Sequence, residues 1–198
     1  MKQEERRQQT IQQLLDATKR LVHEIGCQSI TMNHIIEKSG LSKGAIFHYV
    51  KSKDEIFAWV LQEGVEKTNL RFIDEVEKGK RDFEGPMRKI AEAFSALDQA
   101  DDMTNKVFVY LLGKEHDPAI AQVLQQFHDR SVALARNWIE TGQRSGVIPV
   151  TMDVNRTAEM FVVLSLGLRA RSSIPGVTPA FTAQDFTKFV VQTLKPNR

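Results

Sequence analysis

Residues 30–57 read ITMNHIIEKSGLSKGAIFHYVKSKDEIF. Thr31 suits a helix N-cap, because its hydroxyl can take up a free amide of the first turn. Met32, Ile35 and Ile36 then give a short helix its apolar face. Gly40 ends that helix, since glycine adopts a left-handed conformation without strain. Leu41 tucks inward, and Ser42 caps a further helix predicted over 43–49. Ser52-Lys53-Asp54-Glu55 has the S-x-x-E form of a capping box, so another helix starts there. Two short helices joined at a fixed angle through Ser39-Gly40-Leu41 make a helix-turn-helix.

The residue types explain what such a pair can do. Its second helix can enter a major groove N-terminus first. The amides of Lys43 and Gly44 then point outward, where the helix dipole favours a phosphate. Gly44 removes a side chain where the helix comes close to DNA, and Thr31 and Ser42 offer hydroxyls. Lys43 and Lys53 offer charge, while His48 and Tyr49 project from the end of the helix towards sugar and phosphate. Each has a plainer reading. Lys43 could be a solvated lysine, Tyr49 a packing tyrosine and His48 a space-filler.

The same stretch resembles the DNA-binding signature of the tetracycline-repressor (TetR) family. Thr31, Ile35, Gly40, Ser42, Gly44, Phe47, Tyr49 and Lys53 stand at the matching places. Ile36 replaces a usual alanine, Phe47 a common tyrosine and Val50 a frequent phenylalanine, while Cys27 sits where an aromatic or aliphatic residue is common. The resemblance covers about a quarter of the chain. It implies a homodimeric transcriptional regulator with a ligand pocket in its C-terminal part. It also implies that ligand moves the fourth helix and separates the two recognition helices.

Around this stretch, charge is uneven. Residues 1–53 carry nine Lys+Arg against five Asp+Glu and three of the five histidines, whereas residues 54–198 carry 18 against 20. A basic N-terminal third points to a polyanionic partner. The start, MKQEERRQQT, is charged and has no apolar run behind it, and no run approaches the roughly 18 residues of a membrane span. A cytoplasmic location is the expectation. The single cysteine, Cys27, reads as a small buried apolar residue, and no cysteine–histidine spacing suggests a metal.

The rest of the 198-residue chain is helical in its spacing, so the fold class is all-α with about nine helices. Ile11, Leu14, Leu15, Thr18, Leu21, Val22 and Ile25 form one stripe, stopped by Gly26. Ile56, Phe57, Val60, Leu61, Val65, Leu70, Ile73 and Val76 lie on a fourth helix running to about Lys80. The basic KGKRD at 78–82 complements that helix's dipole. Pro86 opens a helix ending near Gln99, Asp101 or Asp102 another ending at Gly113, and Asp117-Pro118 a long one. Asp153 and Thr182 cap the last two. The expected division is 1–53 for DNA binding and 54–198 for ligand binding and dimerisation.

Within the second part, Phe94, Phe108, Tyr110, Phe127, Trp138 and Met160 could converge on one space, although such a set is more often solid core. If a pocket exists, its mainly apolar wall suits a small hydrophobic or aromatic effector. The helix after Asp153 is apolar around most of its girth, so one side needs a partner. Phe161, Ser165 and Leu168 there, with Phe186, Phe189 and Val190 on the last helix, are the candidate interface of a homodimer, and the small residues Ser165, Gly167 and Ala170 permit close approach across it.

No phosphate loop, nucleophile elbow or zinc-protease motif occurs, so the sequence points to no enzyme and to no cofactor or metal. The expected partners are double-stranded DNA carrying a palindromic operator, a small-molecule effector and a second copy, with no membrane. An effector-independent architectural DNA-binding protein is the alternative.

Overall fold

The computed structural model describes residues 3–78 and 83–195, with Gln3 seen only in its backbone. Among the described residues the elements are nine helices and no strand: α1 Gln3–Ser29, α2 Met32–Ser39, α3 Lys43–Phe47, α4 Lys53–Glu77, α5 Glu84–Phe94, α6 Met103–Leu112, α7 Pro118–Arg144, α8 Val154–Ser172 and α9 Ala183–Leu194. Most of the KGKRD segment, residues 79–82, lies outside the described residues. None of the described helices is long and apolar enough to cross a membrane.

Side-chain caps set most of the helix starts. Thr31, Ser42, Ser52, Asp102, Asp117, Asp153 and Thr182 each accept a hydrogen bond from an amide of the first turn. Gly40 takes φ +67, the left-handed turn the sequence required, and its amide donates to the Ile36 carbonyl. Three expectations need correction. Helix α3 stops at Phe47 and His48 is its C-cap, so Tyr49 lies beyond it. Helix α5 ends at Phe94, and a turn carries the chain to Leu97. Ile25, beside the break in α1 at Gly26 (φ 72), is 42% exposed rather than part of the buried stripe.

Two apolar clusters run through the chain. The first joins Leu14, Val22, Ile35 and Ile46 of the N-terminal helices to Ile56, Phe57 and Leu61 of α4, to Val107 and Leu111 of α6, and to Ile120 and Phe127 of α7. The second gathers Phe72 at the far end of α4 with α5, the later turns of α7, α8 and α9. The expected boundary at residue 53 therefore falls inside the first cluster. Helix α4 belongs to both, and α6 packs against α1, α4 and α8.

Polar ties fix α4 at both levels. Lys114, just past α6, donates to Asp54 at 2.8 Å, and Lys19 of α1 pairs with Glu63. Arg130 of α7 grips Glu66 with two hydrogen bonds of 2.6 and 3.0 Å. The exposed Arg130–Glu66 pair contributes little to stability, but a two-pronged arginine does restrict geometry.

Candidate DNA interface and ligand cavity

The α2–α3 unit presents most of the expected contact residues outward. Ser42 Oγ accepts the Ala45 amide at 3.2 Å, which leaves its own proton free to donate. Lys43 and Gly44 follow it, both exposed, on the first turn of α3. Thr31 Oγ1 accepts the His34 amide at 3.2 Å, and His34 Nδ1 in turn accepts the Thr31 amide at 3.4 Å. That reciprocal cap requires the His34 tautomer with its proton on Nε2.

Past the end of α3, the His48 and Tyr49 rings meet edge to face with centroids 4.9 Å apart. They line one open cleft with Glu4 and Arg7 at the start of α1. Sequence spacing could not bring Arg7 here, since forty residues separate it from His48. Phe47 was read only as part of the signature. It is 42% exposed, with the Lys43 ammonium 5.8 Å from its ring centre. An exposed phenylalanine on such a helix can meet a thymine methyl.

Gly44 occupies an ordinary backbone conformation, and a methyl added there would meet nothing within 4 Å. Nothing inside the chain demands glycine at that position.

Lys53 departs from expectation. Its ammonium donates to the carbonyls of Cys27 at 3.1 Å, Gln28 at 3.3 Å and Ile30 at 2.6 Å, and lies 5.3 Å from the Tyr110 ring centre. It is a clamp on the end of α1 rather than a free charge for DNA. Burial pushes its pKa down, partly offset by Asp54. The Cys27 thiol beside it is pushed up to about 11 by burial, against the pull of Lys53, so it stays protonated and unreactive near neutrality.

The second cluster is hollow. A cavity of about 370 Å³ opens between α4, α5, α7, α8 and α9. Of the six aromatic and methionine residues expected around it, only Phe94 and Trp138 line it. Phe108, Tyr110 and Phe127 are buried in the first cluster instead, where Phe57 meets Tyr110 at 5.1 Å and Phe108 meets Phe127 at 5.8 Å. Met160 faces outward, 36% exposed. The Trp138 indole donates to Asn69 Oδ1 at 3.0 Å, which pins it to α4.

The expected dimer residues are likewise displaced. Phe161, Ser165 and Val190 line the cavity, Leu168 and Phe186 are buried within the chain, and Phe189 is half-buried. An outward apolar stripe does run along α8, one or two positions away. It comprises Met160, Val163, Gly167 and, past the helix end, Ile174, with Val163 54% exposed.

Residues 14–60, spanning most of α1 to the first turns of α4, match the profile of "Bacterial regulatory proteins, tetR family". Over those residues the chain carries a tetR-type DNA-binding module. A chain built on this module is a DNA-binding transcriptional regulator rather than an enzyme. The HTH-type transcriptional regulator YfiR of Bacillus subtilis is 23% identical over 157 residues, which span 79% of this chain and 76% of that protein. The HTH-type transcriptional repressor Rv1474c of Mycobacterium tuberculosis is 34% identical over 55 residues, 28% of this chain and 29% of the repressor.

Solved structures share the fold of this chain over nearly its whole length. Salmonella enterica GusR superposes with a TM-score of 0.64 at 20% identity, covering 93% of this chain and 95% of its own. A transcriptional regulator from Saccharomonospora viridis in complex with choline gives 0.68 at 18% identity, covering 96% and 100%. At such low identity these two likenesses concern the fold.

Proposed function

We propose that this chain is a homodimeric tetR-family repressor, released from a two-fold symmetric operator by a small, mainly apolar effector. One observation carries the reading: α4 is shared. Its first turns, Ile56 to Leu61, pack in the core under the helix-turn-helix, while Thr68, Phe72 and Val76 wall the cavity. A ligand that favours one placement of α4 must therefore change the placement of α3. In a dimer that alters the separation of two recognition helices, which must match the roughly 34 Å repeat of the major groove. The Saccharomonospora protein's choline complex supports a small-molecule site in this fold.

In this reading Thr31, Ser42, Lys43, His48, Tyr49 and Arg7 meet the phosphate backbone, and Phe47 meets base edges. Residues 54–198 serve ligand binding and pairing, with Met160, Val163 and Gly167 at the two-fold axis. Selection from random-sequence duplexes should recover an inverted repeat. At least one compound of an apolar panel should then release it in a fluorescence-anisotropy titration. A protein that holds its duplex against every compound would be the architectural alternative.

Gly44 gives a sharper test of the interface. Alanine is the better helix former by about 0.5–1 kcal/mol, and the site has room for it. Gly44→Ala should therefore leave the melting temperature unchanged or higher, yet lower operator affinity by about tenfold or more, the equivalent of about 1.4 kcal/mol. Full affinity in a folded Gly44→Ala protein would mean that this helix does not approach DNA at its first turn.

A further inference from the structure

The cavity wall is apolar with one exception in charge. Phe72, Ile90, Phe94, Leu134, Trp138 and Ile148 represent most of its surface. Among the described lining residues there is no aspartate, glutamate or lysine, and the one charged side chain is Arg169 of α8. Ser165, one turn earlier on the same face, also lines it, as do Thr68 of α4 and Ser131 of α7. Each of these three hydroxyls donates to a carbonyl of its own helix, to Val162, Gly64 and Phe127 respectively.

The Arg169 guanidinium is poorly compensated. Its side chain keeps only 17% of its accessible surface. Among the described residues it makes one hydrogen bond, from Nη1 to Asn105 Oδ1 at 2.5 Å. The nearest carboxylate oxygen, Asp102 Oδ1, stands 3.7 Å away and already accepts the Asn105 amide at 2.9 Å. Burial pushes the guanidinium's pKa down, with Asp102 opposing. A guanidinium carries five donors in a planar fork that matches a carboxylate, and the donors Arg169 does not spend on Asn105 stay accessible rather than sealed in the core.

Resting on the proposed ligand site, we infer that the effector is an amphipathic organic acid, an apolar body bearing one carboxylate that Arg169 receives. The apolar wall takes the body and the free edge of the guanidinium takes the head. Cationic amphiphiles are disfavoured, because no lining side chain can neutralise them.

Arg169 also places the head where it can be felt. Asn105 is fully buried, and its amide nitrogen donates to the carbonyls of Ala96, Leu97 and Gln99 at 2.8, 3.1 and 3.0 Å. It thereby clamps the α5–α6 connection to the start of α6. One residue away, Thr104 packs so tightly on Gly64 of α4 that an added methyl would stand 2.8 Å from its hydroxyl. The head therefore binds at the junction of α4, α6 and α8.

The test uses the intact protein and displacement of a neutral fluorophore, N-phenyl-1-naphthylamine, from the cavity. Decanoate and 4-phenylbutyrate compete, each against its primary amide, alongside decyltrimethylammonium. Wild-type protein should prefer at least one acid over its amide by at least tenfold and bind the ammonium more weakly than either. In Arg169→Gln the preference should fall below threefold while the amides keep their affinity, and Arg169→Lys should restore part of it. Equal competition by acid and amide in wild-type protein, or failure of both, overturns the inference whether or not the variants fold. A preference that persists in folded Arg169→Gln overturns it as well. Failure of the fluorophore itself to bind would instead remove the ligand cavity, and this inference with it.

Discussion

Raising salt from about 50 to about 200 mM should weaken operator binding by about a thousandfold or more, as expected for a dimer that neutralises six to ten phosphates. The cationic side chains of this face, counted twice for a dimer, reach the lower end of that number. Lys43 and Lys51 are exposed beside the recognition helix, Arg7 lies next to His48 and Tyr49, and Thr31 and Ser42 keep hydroxyl protons to donate. Every one of them occurs twice in a dimer. Lys43→Ala should flatten the log–log slope by about two, one for each copy of the lost phosphate contact. Anisotropy titrations at four or five salt concentrations measure this directly. A slope near zero would contradict phosphate binding by this face, whatever the affinity at low salt.

Val163→Glu should dissociate the dimer, and operator binding should fall by about a hundredfold or more with it. The side chain is 54% exposed in the single chain, so a charge there does not disturb the protomer's core. Across a two-fold axis it appears twice, and burying two like charges without partners costs at least about 3 kcal/mol. Phe186→Glu makes the contrasting control. Phe186 is fully buried against Phe94 and Phe161, so the charge should unfold the chain rather than merely split the pair. Sedimentation of the folded Val163→Glu protein decides the matter, since a dimer of unchanged affinity would move the pairing surface elsewhere.

These two residues mark how far the sequence could be read. Helix starts were legible because a cap is a local event. Thr31, Ser42, Ser52, Asp102, Asp117, Asp153 and Thr182 need only the amides two or three residues ahead. The helix-turn-helix was legible for the same reason, because its turn depends on one glycine and its angle on neighbours a few positions away. Facing was not. On α8 apolar residues occur on most sides, so periodicity alone cannot say whether Phe161 or Val163 points inward; α7 and α9 decide that by covering one side. The surroundings of Lys53 are equally out of reach of local reasoning, because its acceptors lie 23 to 26 residues earlier in the chain.

By itself, then, the order of residues specified an all-helical chain, a DNA-reading motif at 30–53 and the absence of a membrane-length apolar run. Those properties come from interactions that reach no more than one helical turn. The cavity, the buried guanidinium beside Asn105 and the choice of exposed stripe on α8 belong to tertiary structure alone. A void is space that packed helices leave between them, and a charge is isolated only by what surrounds it, so neither can be assigned until distant segments are brought together.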